Sequence, residues 1–213
     1  MPPLARPSPQ PSARWSDPSF YECETSPMQI ETTALSGVVI LTPQRFGDAR
    51  GWFTETWNAA RMAAAGLDLP FVQDNHSFSA QAGTLRGLHY QSPPRAQDKL
   101  VRCTRGAIRD VAVDARRGSP TYGQWVAVDL TAENGRQILV PKGFLHGFVT
   151  LTPDTEVQYK CTDTYSPDHD GGVRWDSCGI DWGLTAPPVL SAKDTTAPAF
   201  ADWQSPFTWG DAA

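Results

Sequence analysis

The chain has 213 residues, 18 Lys and Arg against 23 Asp and Glu, and a net charge of -5, with 40% hydrophobic residues. That length fits one domain with a tail, and the apolar fraction is enough for a core. The acidic balance argues against a general nucleic-acid binder, and no apolar run approaches the roughly 20 residues of a membrane helix. Nor does the N-terminus carry the compact apolar stretch of a secretory signal, so no membrane partner and a cytoplasmic location are expected.

In chain order, residues 1–27 hold seven of the nineteen prolines, a density that breaks any helical or strand period. They read as a disordered or loosely docked tail, which Phe20 and Tyr21 would dock, with Met28 as an alternative start because ordered patterning begins after it. Residues 28–213 read as a single domain. Gly37–Leu41 is a β-rich run closed by Pro43. Asn58–Leu67 is the one good helix candidate, rich in Ala, capped by Asn58 and stopped at Gly66. Strand-like runs then follow at Phe71–Ser79, Thr84–Gln91, Lys99–Thr104, Ala107–Asp114, Gln124–Leu130, Gln137–Val140, Phe144–Leu151 and Glu156–Thr162. Gly, Pro, Asn and Asp punctuate most of the gaps. Many short strands, with seventeen glycines and eight tryptophans, predict an all-β sandwich or barrel. The stretch 183–213 reads as mostly irregular. Cys23, Cys103, Cys161 and Cys178 form no C-x-x-C pair and read as reduced, structural thiols.

Gly135, then Pro141-Lys142-Gly143 and His146, fit G-x5-P-x-G-x2-H. This resembles the second motif of the cupins, in which a tight Pro-x-Gly turn sends a histidine-bearing strand into the mouth of a small jelly-roll barrel. A metal-holding cupin needs an H-x-H and a downstream Glu. Here the matching strand, Leu85 to Gln91, offers only His89, and Arg86 beside it would repel a divalent ion. The expected architecture is therefore a metal-free, cupin-like jelly-roll barrel with one or two short helices and a cationic mouth. His76 reads as a polar strand contact, His169 as an exposed turn residue, and Trp125 as core or interface.

Longer motifs in register carry a more specific likeness. Phe46-Gly-Asp-Ala-Arg50-Gly-Trp-Phe-Thr-Glu55, Phe71-Val-Gln73-Asp-Asn75-His76-Ser and Leu85-Arg86-Gly-Leu-His89-Tyr-Gln91 open it. Lys99-Leu-Val-Arg-Cys, Pro141 to Phe148, Tyr159-Lys, Tyr165-Ser-Pro and Leu190-Ser-Ala-Lys193-Asp194 continue it. From about residue 36 to about 200 the chain resembles the dTDP-4-dehydrorhamnose 3,5-epimerases. Two stretches depart from the family: Gly171–Ile180 is a shortened version of its Trp-Asn-Asp turn, and the proline-rich head has no counterpart.

The resemblance implies a dTDP-linked 4-keto-6-deoxyhexose as substrate, inverted at C3 and C5 in dTDP-rhamnose synthesis, without cofactor or metal. Both carbons lie alpha to the C4 carbonyl, so a base on one face, an acid on the other and a stabilised enolate suffice. It assigns His89 as base, Asp194 as the carboxylate on its other ring nitrogen, Tyr159 as acid and Lys99 as the charge that neutralises the enolate. Arg50 and Arg86 would grip the diphosphate. Glu55, Gln73 and Asn75 would meet the base or ribose, Phe46 the thymine, Tyr165 the nucleotide or sugar and His146 the sugar. Asp170 and Lys193 would close the mouth. A homodimer is implied, with an early segment of one chain completing the other's pocket. The rival readings are a single-carbon epimerase, a metal-dependent cupin enzyme and a non-catalytic sugar-binding barrel.

Overall fold

The computed structural model describes residues 28–210. The expected tail over residues 1–27, with Cys23, Phe20 and Tyr21, lies outside the described residues.

Thirteen strands and two short helices follow one another among those residues. They are β1 (Gln29–Thr32), β2 (Val39–Thr42), β3 (Arg45–Asp48), β4 (Gly51–Thr54), α1 (Ala59–Ala64), β5 (Gln73–Ser79) and β6 (Leu85–Gln91). Then come β7 (Lys99–Arg105), β8 (Ala107–Asp114), β9 (Trp125–Thr131), β10 (Gln137–Val140), β11 (Phe144–Thr150), β12 (Thr155–Cys161), β13 (Asp170–Gly172) and α2 (Ala192–Thr196). One sheet has the order β1-β2-β10-β7-β12-β5, the other β13-β6-β11-β8-β9, and β3 and β4 form a separate hairpin. All strand pairs are antiparallel. Sequence neighbours such as β9 and β10, or β10 and β11, lie in different sheets, the face-to-face crossing of a jelly roll. This is the cupin-like barrel that the sequence predicts.

Alternation along each strand sorts the side chains into three apolar layers. Val101, Cys103, Ile138 and Val157 of the first sheet meet Ile108, Ala112, Phe144 and Phe148 of the second in the space between the sheets. The back of the second sheet (Leu85, Leu88, Val111, Val113, Leu145, Val149) is covered by Val173, Trp182 and Phe207 of the C-terminal stretch. The back of the first sheet (Leu41, Leu100, Leu139) is covered by Met62 of α1. Every residue of β11 is buried, because both faces of that strand are covered.

Local signals explain most boundaries. Asn58 Oδ1 accepts the Arg61 N–H at 3.2 Å and caps α1, and Gly66 lies just past its end at φ +83°. Gly143, at φ +85°, makes the turn into β11, and a Cβ there would lie 2.7 Å from Arg116 Cγ. Four strands departed from the sequence reading. β1 is exposed along its whole length, so burial leaves no pattern in Gln29–Thr32. The hairpin β3–β4 is short and exposed, and β13 is Asp-Gly-Gly, with almost no side chains to pattern. In the C-terminal stretch, otherwise irregular, Ser191 caps the five residues of α2.

Candidate active site

Directly paired strand residues point to the same side of a sheet, so register places the site residues relative to the core. Tyr159 pairs with Val101, and Lys99 with Val140, both partners belonging to the layer between the sheets. Asn75 pairs with Tyr159, and Gln73 with Cys161. In the second sheet His89 pairs with His146, whose strand neighbours Phe144 and Phe148 face the same inner layer. His89 and Tyr159 therefore project from opposite sheets into one inter-sheet space.

Arg86 joins them there through an irregularity. Arg86 and His89 are three positions apart, which in a regular strand would place them on opposite faces. The register shifts between His146 and Phe148, so that Arg86 pairs with Phe148 while His89 pairs with His146. Gly87 makes this fit: at φ +130°, a Cβ on it would lie 2.7 Å from Gly147 Cα and 2.8 Å from the His146 carbonyl oxygen. Arg86 donates to the Phe78 carbonyl at 3.1 Å and to Ser79 Oγ at 3.3 Å.

His89 Nε2 lies 2.5 Å from Asp194 Oδ1, a contact spanning 105 residues of chain. Asp194 also accepts from Ser191 Oγ at 2.8 Å, and Ser191 Oγ in turn accepts the Asp194 N–H as the cap of α2. Burial disfavours the Asp194 carboxylate, but bonding to His89 and Ser191 and the nearby Lys193 outweigh it and hold its pKa below the usual value. Burial pushes the Tyr159 phenol above its usual value, with Cys161 and Asp170 adding to the shift and Arg86 opposing it. Tyr159 is thus a proton carrier at neutral pH. Burial lowers the pKa of Lys99, against the pull of Cys161, Asp170 and Asp110.

At the rim, Lys193 donates to Asp170 Oδ2, and the Tyr165 hydroxyl donates to the same oxygen at 3.2 Å. Strand β12 ends at Cys161, so Tyr165 reaches this position from the following loop and not from a continued strand. Gln73 Nε2 donates to Asn75 Oδ1 at 3.0 Å, and Gln73 Oε1 accepts the Tyr165 N–H at 2.9 Å. Register and hydrogen bonds thereby set Tyr159, Lys99, Gln73, Asn75, Arg86, His89 and His146 on the inner faces of the two sheets, with Asp194 on His89, and join Tyr165, Asp170 and Lys193 to one another.

Phe46, Arg50 and Glu55 are not. The first two sit on the hairpin β3–β4, where Arg50 pairs with Asp48 and is 81% exposed. Glu55 accepts from Arg61 and Asn58 at the start of α1. Among the described residues no hydrogen bond or ion pair joins these three to the cluster around His89. His76 faces outward with Nε2 3.0 Å from Glu156, as a polar strand contact. His169, expected exposed, is half-buried, its Nδ1 2.8 Å from Ser166 Oγ.

The sequence reading missed Asp110. It is fully buried, and His146 Nε2 lies 2.9 and 3.0 Å from its two oxygens. The available signal was a lone carboxylate in the middle of the apolar run of β8, where burial demands a partner. Ser191, which holds both Asp194 and the start of α2, was visible only as an N-cap pattern. Among the described residues no three His, Cys, Asp or Glu side chains lie close enough together to hold a metal ion.

A jelly-roll barrel with an imidazole–carboxylate pair facing a protonated phenol, beside half-buried and rim cations, is the build of a proton-transfer enzyme for an anionic substrate. Residues 32–202 match the family model for dTDP-4-dehydrorhamnose 3,5-epimerase. The enzyme of that name from Salmonella typhimurium is 50% identical over 174 residues, covering 80% of this chain and 94% of the relative. Its counterpart from Sinorhizobium fredii is 49% identical over 181 residues, covering 84% and 93%. The crystal structure of the Legionella pneumophila dTDP-6-deoxy-D-glucose-3,5-epimerase with dTDP-4-keto-L-rhamnose superposes with a TM-score of 0.83. It is 43% identical, covering 87% of this chain and all of that one. The chain belongs to the dTDP-4-dehydrorhamnose 3,5-epimerase family.

Proposed function

We infer that the protein is an isomerase that converts dTDP-4-dehydro-6-deoxy-D-glucose to dTDP-4-dehydro-L-rhamnose, in dTDP-rhamnose synthesis. The observation that carries the site assignment is the placing of His89 and Tyr159 on opposite sheets with their side chains in one space. His89 removes the proton alpha to the C4 carbonyl, and Asp194, kept ionised, stabilises the imidazolium that results. Hydrogen bonding of Nε2 to Asp194 leaves Nδ1 as the ring nitrogen that takes the proton. Lys99 neutralises the negative charge that develops on the carbonyl oxygen, and a partly desolvated charge acts more strongly than one in water. Tyr159 returns a proton from the other face, which inverts the carbon. Repetition at the second carbon completes the reaction, and electrons and protons balance without a further reactant.

Arg86 at the mouth grips the diphosphate, and His146, held by Asp110, lies beside the sugar. Gln73, Asn75 and Tyr165 hold the nucleotide side, and Asp170 and Lys193 close over it. Phe46 and Arg50 stand on an exposed hairpin, and with Glu55 they share, among the described residues, no hydrogen bond or ion pair with the cluster around His89, which suits a homodimer in which the hairpin β3–β4 of one chain completes the pocket of the other. Among the described residues no helix is long and apolar enough to cross a membrane. Cys103, Cys161 and Cys178 are free thiols, which suits a reducing cytoplasm.

The test is incubation with dTDP-4-keto-6-deoxyglucose in deuterium oxide. Label at both C3 and C5 of the inverted product is expected. Label at one carbon would make the protein a single-carbon epimerase, and binding without label would make it a sugar-binding barrel. For the shared site, mixing inactive His89→Ala chains with inactive Arg50→Ala chains should restore up to about a quarter of wild-type activity, since half the dimers are mixed and each carries one intact site. No recovery after subunit exchange would place Arg50 in its own chain's site or outside any site.

A further inference from the structure

Cys161 ends β12 as a buried side chain outside the three apolar layers. It is inward-facing and 1% exposed, and it lies directly between Gln73 of β5 and Lys99 of β7. Tyr159 is two residues before it on the same face. Its sulfur is also bonded: Asn75 Nδ2 donates to Cys161 Sγ at 3.5 Å. This contact ends a chain with one direction throughout. The Tyr165 N–H donates to Gln73 Oε1, Gln73 Nε2 donates to Asn75 Oδ1, and Asn75 Nδ2 donates to the sulfur. At its other end Tyr165 continues through its hydroxyl to Asp170, and Asp170 to Lys193 beside Asp194 on α2.

The two ends matter because an amide group is nearly the same shape when turned by a half-rotation. A backbone N–H can only donate, so it fixes the oxygen of Gln73 at one end. Gln73 Nε2 then donates, so Asn75 turns its oxygen to Gln73 and its nitrogen to the sulfur, the acceptor that holds that end in place. With both ends in place, each amide has one N–H left for an oxygen of the substrate. With the sulfur gone, the direction set from Tyr165 remains, but Asn75 Nδ2 loses its acceptor and the Asn75 side chain is held at one end only.

We propose that Cys161 is a positioning residue for substrate binding, its sulfur anchoring a one-way hydrogen-bond chain through Asn75 and Gln73 to Tyr165 at the rim. Burial holds the thiol protonated, against the influence of Lys99, so the sulfur acts here as an uncharged acceptor. The proposal rests on the epimerase reading for its kinetic consequence but not for its structural one.

The experiment compares Cys161→Val, which keeps the bulk, Cys161→Ala and Cys161→Ser in the full chain with dTDP-4-keto-6-deoxyglucose. Val and Ala should raise KM three- to tenfold with kcat within about twofold, the range expected for one modest hydrogen bond. Ser should recover most of the loss. Wild-type KM in both Val and Ala, or a Ser variant as impaired as those two, overturns the proposal. A second measurement needs no substrate and no variant. In the NMR spectrum of the free wild-type protein, one Asn75 Nδ2 proton should exchange slowly with solvent, and two rapidly exchanging protons would overturn the chain. A wild-type protein that shows the slow proton but no activity would instead remove the epimerase reading alone.

Discussion

Two imidazole–carboxylate pairs lie across from one another on paired strands, and they are built from the same groups to opposite ends. His89 is 30% exposed and meets Asp194 on a short surface helix, whereas His146 is 8% exposed and meets Asp110 in the interior. Asp194 is bonded by Ser191 as well as His89, and its pKa is lowered. For Asp110, burial outweighs His146 and Lys99 and raises the pKa. The comparison teaches that a histidine and an aspartate do not by themselves make a base. What suits His89 to the proposed role is a carboxylate kept ionised by extra donors, together with a ring open to one side. His146 is instead shut in on its neighbours, with Asp110 as its partner.

Removing the open imidazole is the most severe way to break this contrast. His89→Ala should lower deuterium incorporation by about 10³-fold or more, the upper part of the range for a general base, with the melting temperature little changed. Retained exchange would hand the base role to another group, His146 first. Tyr159→Phe should be milder and of a different kind. Inverted product should fall by about 10²-fold, while deuterium still enters the recovered starting sugar, because His89 can remove and return a proton on its own face. Equal loss of both signals would mean that the phenol is needed for abstraction itself.

Next in size is a change that leaves every candidate catalytic group in place. Gly87→Ala forces a Cβ against the Gly147 backbone and should destabilise the fold by about 1–3 kcal/mol. Because the register shift there turns Arg86 to the side of His89, the KM for the diphosphate-bearing substrate should rise as well. A loss of stability with unchanged KM would separate the glycine from the placing of Arg86.

Much of this architecture was legible because burial wrote it into the sequence. The runs Ala107–Asp114 and Phe144–Leu151 are dense in apolar residues because both faces of their sheet are covered. The turn at Pro141–Gly143 was marked by the residues that its geometry demands. The candidate site was suggested by the motifs of a family, and less by the residues alone, because its parts meet only in the fold: nothing local in Lys193-Asp194-Thr195 distinguishes a carboxylate that holds His89 from one in the first turn of a helix. What stayed hidden was written in no period. Strand β1 is exposed on both faces and β13 is mostly glycine, so neither alternates. Asp110 and Cys161 are buried, and only their partners on other strands reveal what they hold.

The smallest effect sharpens the contrast of the two carboxylates most directly, through stability against pH. A group whose pKa falls on folding adds stability that is present above its unfolded value, about pH 4 for Asp, and lost as pH drops through the folded value. That is the case of Asp194. A group whose pKa rises on folding adds stability that is complete below about pH 4 and is lost as pH rises through the folded value. That is the case of Asp110, faced by His146 and Lys99. Urea unfolding of wild type, Asp194→Asn and Asp110→Asn at several values between about pH 3 and 7 should therefore give opposite slopes. The advantage of wild type over Asp194→Asn should shrink on acidification, and its standing against Asp110→Asn should improve. Slopes of the same sign would mean that the two pairs share one electrostatic character, and the division of labour between His89 and His146 would then have to come from access alone.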